Sequence, residues 1–168
     1  MRKRLGFLAV ATIALAVLIP VAAIAADHPT NRADNIVGTQ GDDIINSKGG
    51  RDIMHGRRGN DTLSGGAKGD FLFGGAGDDT LNGGPGNDKL YGGKGVDTLN
   101  GGDGDDVLKG GKGVDTLNGG PGNDLIRSHS DGSIDVIDCG DGDADVAVVD
   151  PAEVAGALDC ETVRVVHH

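Results

Sequence analysis

Every ninth residue from position 43 to position 124 is an aspartate: Asp43, Asp52, Asp61, Asp70, Asp79, Asp88, Asp97, Asp106, Asp115 and Asp124. Two residues after each stands an aliphatic side chain or a methionine, in Ile45, Met54, Leu63, Leu72, Leu81, Leu90, Leu99, Leu108, Leu117 and Ile126. A short period held this strictly marks a repeat architecture, in which each unit buries its apolar side chain only against its neighbours. The best copies read Gly-Gly-x-Gly-x-Asp-x-Leu-x, at 74–82, 83–91 and 101–109. Early copies are worn. Thr39 follows Gly38, Ser47-Lys48 opens the second copy, Arg57-Arg58 follows Gly56, and Lys68 stands where Gly is due. A half-copy keeps the register before them, with Asp34 and Ile36 nine residues ahead of Asp43 and Ile45.

A period of eighteen lies over the period of nine. Lys94-Gly95-Val96-Asp97-Thr98-Leu99-Asn100 recurs as 112–118, and Thr62, Thr80, Thr98 and Thr116 share the spacing. Alternate copies carry Ile53, Phe71, Lys89, Val107 and Leu125 at the same place. Two nine-residue units per coil, one on each side of a solenoid, produce this alternation. Gly-Gly-x-Gly takes the backbone to positive φ and is a turn. The polar-apolar-polar end of each unit, such as Thr80-Leu81-Asn82, reads as a short strand with one side chain inward. The expectation is an all-β solenoid whose coils stack about 4.8 Å apart.

That stacking sets Asp61, Asp79, Asp97 and Asp115 in one column and Asp52, Asp70, Asp88, Asp106 and Asp124 in another. Carboxylates piled so closely repel one another unless a cation neutralises them. Calcium suits the geometry, since it takes six to eight oxygens in a flexible shell. Magnesium demands a tighter octahedron, and zinc wants His or Cys, which the repeats lack apart from His55. With one aliphatic per nine residues and 32 glycines, the core cannot offset an ordering entropy of roughly 1–2 kcal/mol per residue. Cation binding and folding are therefore expected to be one event, with the metal-free chain expanded by its own charge.

The pattern at 92–100 resembles the haemolysin-type calcium-binding repeat of repeat-in-toxin proteins, and the resemblance covers about 90 residues. It implies a right-handed parallel β-roll with Ca²⁺ held between each turn and the turn two copies on. It implies that Asp43 through Asp124 are the side-chain ligands, joined by backbone carbonyls near Gly75, Gly77, Gly84, Gly86, Gly93, Gly95, Gly102, Gly104, Gly111 and Gly113. Ten turns in two columns leave room for about eight ions.

The ends of the chain read differently. Arg2, Lys3 and Arg4 precede an apolar run from Leu5 to Ile19, Pro20 breaks it, and Ala23-Ile24-Ala25 is a small-x-small cleavage site. This is the layout of a secretory signal peptide. The uncharged stretch to Ala26 is also long enough for a membrane anchor. After position 127 the register fails, with Ser133 where the next Asp is due. The segments 134–138 and 145–149 alternate as strands do. Cys139 and Cys160, an even pair in an exported chain, read as a disulfide rather than a metal site or a nucleophile. The run 139–143 followed by Asp159-Cys160-Glu161 looks like the tail of secreted actinobacterial members of the same family. The expected organisation is a signal peptide at 1–25 and a linker with a degenerate opening half-repeat at 26–37. Ten calcium-binding repeats follow at 38–127, and a small disulfide-closed C-terminal cap at 128–168.

A formal charge of −11 argues against a nucleic-acid partner, whose phosphates want the opposite sign. Stable membrane insertion is not expected once the signal is cleaved. The segment 141–145 hints at an EF-hand, but Val146 and Ala152 replace the required Gly and Glu. No Gly-Lys-Ser/Thr, His-Glu-x-x-His or Gly-x-Ser-x-Gly motif occurs, so the expected role is extracellular calcium binding without catalysis. The competing reading uses the solenoid as a scaffold for ice, cell wall or a partner protein. It rests on the outward ladder of Thr62, Thr80, Thr98 and Thr116 with Ser64, Asn82, Asn100 and Asn118, and on Phe71, Phe73 and Tyr91 opposite. The protein or surface partner itself is not specified by the sequence.

Overall fold

The structure, a computed structural model, describes residues 30–128, 132–151 and 157–166. The signal peptide expected at 1–25 lies outside the described residues. Among these residues every regular element is a strand, and all strand pairs are parallel. The order is β1 (Asn35–Val37), β2 (Ile44–Asn46), β3 (Ile53–Arg58), β4 (Thr62–Ser64), β5 (Phe71–Ala76), β6 (Thr80–Asn82), β7 (Lys89–Lys94) and β8 (Thr98–Asn100). It continues with β9 (Val107–Lys112), β10 (Thr116–Asn118), β11 (Leu125–Ser128), β12 (Val136–Asp138), β13 (Val146–Val149), β14 (Ala157–Leu158) and β15 (Thr162–Val165). Odd strands form one eight-stranded sheet and even strands one seven-stranded sheet. The chain therefore winds as a β-solenoid of about seven coils.

Pairing follows the period of eighteen, with Leu81 opposite Leu99 and Leu99 opposite Leu117 in one sheet, Leu72 opposite Leu90 and Leu90 opposite Leu108 in the other. These leucines, with Met54, Leu63 and Ile126, are fully buried between the sheets. Each removes one apolar side chain from water, a gain of roughly 1.5–3 kcal/mol. The core is a double file one side chain wide.

The two sheets differ in strand length, which the period of nine does not anticipate. From β3 to β9 the odd strands run six residues, into the glycine turn, so that Gly75 pairs Gly93 and Gly93 pairs Gly111. From β2 to β12 the even strands stop after three. The turns after β6 and β10 carry Pro85 and Pro121, which have no N–H to extend a ladder. At the matching place the odd side has Ala76, Lys94 and Lys112.

The C-terminal segment builds on the same two sheets. β12 pairs β10 and β14 pairs β12, while β13 pairs β11 and β15 pairs β13. Cys139 and Cys160 form a disulfide, with Cys139 buried at the end of the core. On the outer face of the odd sheet His55, Phe73 and Tyr91 stack, with ring centroids 4.7 and 5.0 Å apart, and the Lys89 ammonium lies 5.2 Å from the Phe71 ring. The aromatic group is half-buried by its own stacking.

Candidate metal centre

The turn between consecutive strands brings the periodic aspartates inward. Asp52, Asp61, Asp70, Asp79, Asp88, Asp97, Asp106 and Asp124 are at most 2% exposed. Each carboxylate has a structural task that the sequence pattern does not announce: its Oδ1 accepts the backbone N–H of the aspartate one coil earlier. The first column runs Asp43 to Asp61 at 2.8 Å, Asp61 to Asp79 at 2.8 Å, Asp79 to Asp97 at 2.9 Å and Asp97 to Asp115 at 2.8 Å. The second runs Asp34 to Asp52, Asp52 to Asp70, Asp70 to Asp88, Asp88 to Asp106 and Asp106 to Asp124, at 2.6–2.8 Å.

The other oxygen is left over. The Oδ2 atoms of Asp52, Asp61, Asp70, Asp79, Asp88, Asp97, Asp106 and Asp124 are buried and have no hydrogen-bond partner. A buried polar atom without a partner costs about 1–3 kcal/mol, and more when charged. Burial accordingly raises the carboxyls of Asp61, Asp70, Asp79, Asp88, Asp97, Asp106 and Asp124. Asp61, Asp70, Asp88, Asp97 and Asp124 are pushed up to about 6 and Asp106 to about 7, with the backbone hydrogen bond opposing the shift and neighbouring aspartates adding to it. Asp79 is raised for the same first reason.

A Cβ on Gly74 would meet both Asp79 Oδ2 and the Gly92 carbonyl, and one on Gly92 both Asp97 Oδ2 and the Gly110 carbonyl; the later glycines of each turn approach carbonyls as well. The Gly77 oxygen lies against the Cα of Gly95, that of Gly86 against Gly104, that of Gly75 against Gly93 and that of Gly84 against Gly102. A side chain at the later position would strike the earlier carbonyl, and φ there runs from 107° to 132°, so glycine is required on both counts. The same relation places the carbonyls of Gly93, Gly95, Gly102 and Gly104 against Gly111, Gly113, Gly120 and Gly122. Among the described residues no three His, Cys, Asp or Glu side chains converge on one point. Any cation held here takes main-chain oxygens as well as carboxylates. The orphaned carboxylate oxygens and the turn carbonyls are all oxygen donors, a chemistry that fits calcium and not zinc.

Worn copies keep the turn by other means. Lys48, Arg57 and Lys68 adopt φ of 75°, 90° and 81°, positive like the glycines at the matching place in other copies. Ser47, buried in place of a first glycine, donates its hydroxyl to the Gly65 carbonyl. A further ladder escaped sequence reasoning. The residue before the periodic Asp links coils on the outer edge: Asn60 N–H donates to Asp42, Asp78 to Asn60 and Val96 to Asp78, and on the other side Asp105 to Asn87 and Asn123 to Asp105. Asp or Asn precedes the aspartate in most copies, a composition that ordinary turns share.

The columns also outlast the period. Asp115 N–H donates to Asp135 and Asp124 N–H to Asp145, at 2.8 and 2.6 Å and at separations of 20 and 21 residues. Loop length absorbs the insertions while the ladder keeps its spacing.

A parallel β-solenoid with two enclosed columns of aspartate facing glycine carbonyls defines a class of repeat protein. The chain belongs to the RTX calcium-binding nonapeptide repeat family, whose model matches in four overlapping copies at residues 28–63, 55–90, 64–99 and 91–126. RTX nonapeptide repeats bind calcium. No curated protein and no solved structure matches the chain.

Proposed function

We propose that this is an exported, non-catalytic calcium-binding protein whose solenoid assembles as it takes up its ions. The observation that carries the reading is the row of buried, unpartnered Oδ2 atoms on both columns. Calcium between successive turns of a column would be held by carboxylate oxygens of Asp43 through Asp124 and by the glycine carbonyls, up to about eight ions in all. The apolar leader at 1–25 supports export, the disulfide Cys139–Cys160 suits an oxidising exterior, and the tail's likeness to secreted actinobacterial members belongs to the same reading. Extracellular modules bind calcium at ~10⁻⁴–10⁻³ M, so the chain would cross the membrane unfolded and set outside. The repeats at 38–127 are the calcium-binding unit, with 26–37 leading in and 128–168 closing the end. Calorimetric titration of the metal-free chain tests this. Several calcium ions per chain with a large exothermic folding signal are expected, and no binding at millimolar calcium would refute it.

A second reading, recognition of an extended surface, is favoured by one observation. Thr62, Thr80, Thr98 and Thr116 stand in register on the even sheet, flanked by Ser64, Asn82, Asn100 and Asn118. Replacing Thr80 and Thr98 with Lys would abolish binding to ice or cell-wall polymer while leaving calcium uptake intact.

A further inference from the structure

Two aspartate columns have four ends, and three are closed in the same way. At the start of the second column, Asp34 accepts from the Thr30 N–H at 2.8 Å and the Thr30 hydroxyl at 3.1 Å. At the start of the first, Asp43 Oδ2 accepts from the Thr39 N–H at 2.6 Å and the Thr39 hydroxyl at 3.2 Å. At the far end of the first, Asp135 Oδ2 accepts the Ser128 hydroxyl. A hydroxyl-bearing residue thus satisfies the oxygen that Asp61, Asp79, Asp97, Asp52, Asp70, Asp88, Asp106 and Asp124 leave bare.

The fourth end is built differently. Asp145, fully buried, accepts the Asp124 N–H through Oδ1, and its Oδ2 has no partner. Its own N–H donates to Glu161 Oε2 at 2.7 Å, so Glu161 continues the ladder in the place of a next aspartate, and among the described residues no hydroxyl meets Asp145 Oδ2. The turn at 139–145 copies the repeat turn despite its altered sequence. Gly140 has φ of 90° and lies against the Gly120 carbonyl, Gly142 lies against that of Gly122, and the Cys139 carbonyl faces Gly119 as the Gly119 carbonyl faces Gly101. An open cleft of about 640 Å³ runs along this edge, and its charged lining is entirely acidic: Asp141, Asp143, Asp159 and Glu161. Gly142 forms part of its wall, and a Cβ there would stand 2.7 Å from both Asp145 oxygens. The buried carboxylate thus sits directly behind the cleft.

We infer that this end of the second column holds a calcium ion outside the repeats, with Asp145 Oδ2 and the Glu161 carboxylate as side-chain ligands and carbonyls of the 139–142 turn completing the shell. The inference rests on the repeats being calcium-binding, and it extends that role to a segment beyond residue 126, where the family match ends. An all-oxygen set with two carboxylates suits calcium. The Cys139–Cys160 disulfide ties the turn to the residue before Glu161 and holds the two carboxylates within one site.

The test is equilibrium dialysis against calcium together with amide hydrogen exchange, on the oxidised protein and on Asp145→Asn and Glu161→Gln. Gln retains a carbonyl oxygen to accept the Asp145 N–H, so strand pairing survives even if Asp145→Asn fails to form the last coil. Each variant that folds is expected to bind one calcium fewer per chain. Calcium-dependent protection at 139–145 should fall at least about tenfold while that of 74–109 is unchanged. Wild-type stoichiometry with wild-type protection in Glu161→Gln would overturn the inference and leave the repeat sites standing. Absence of calcium binding at every turn would overturn both.

Discussion

Lys48, Arg57 and Lys68 hold backbone angles that glycine adopts freely, at a cost of roughly 1–2 kcal/mol each for a residue with a side chain. Arg57→Gly is therefore expected to stabilise the calcium-loaded fold by about 1 kcal/mol, part of the relief being offset by the looser unfolded chain. Gly77→Ala should do the reverse. It adds a Cβ against the Gly59 carbonyl at φ 130°, and thermal melting in saturating calcium should show a loss of about 3 kcal/mol. The double duty of the aspartates is separable in the same assay. Asp97→Asn keeps an oxygen for the Asp79 N–H but removes the charge, whereas Asp97→Ala also strands that buried N–H. Calcium stoichiometry should fall in both. The Ala variant alone should lose a further 1–3 kcal/mol, roughly the cost of an unmet buried donor.

At the scale of the strand and turn, the sequence showed what every unit repeats. One aspartate and one aliphatic per nine residues fixed the inward side chains from Ile45 to Ile126, and the period of eighteen fixed which strands pair. What stayed hidden was not periodic, or had an ordinary explanation. Asp and Asn before the periodic aspartate are common turn residues, so Asn60 and Asp78 gave no reason to expect a ladder. Asp135 and Asp145 were lost to sequence counting because two short insertions shift them, although hydrogen bonding holds them in column. After β6 and β10 the ladder stops at Pro85 and Pro121, whose missing N–H groups could have been read in advance. Contacts in a solenoid run only between neighbouring coils, so the disulfide should act locally. Its sequence separation of 21 corresponds to about 3 kcal/mol of loop-closure stabilisation. The Cys139→Ser, Cys160→Ser double variant is expected to lose exchange protection in β12 to β15 while β4 to β8 keep theirs; a uniform loss along the solenoid would contradict nearest-neighbour packing.

For the whole molecule, the proposed ligand set makes proton and calcium competitors for the same carboxylate oxygens. Burial lifts the carboxyls of the cation-free fold to about 6 or 7 from an ordinary 3.8. A raised folded value means that the folded state binds protons more tightly than the unfolded chain. That stability is fully present below about pH 4 and is lost as pH rises through 6 to 7. In chelator, β structure followed by circular dichroism should thus strengthen on acidification toward pH 4 and weaken toward neutrality. With calcium bound the order reverses, because protons displace the ion.

At neutral pH, with neither proton nor calcium on the columns, the enclosed negative charge should force the coils apart. Small-angle scattering of the protein at pH 7.5, in millimolar calcium and again in excess chelator, measures this directly. Calcium-driven assembly predicts a rod-like particle in calcium and an expanded chain in chelator. The same compact particle in both would contradict it.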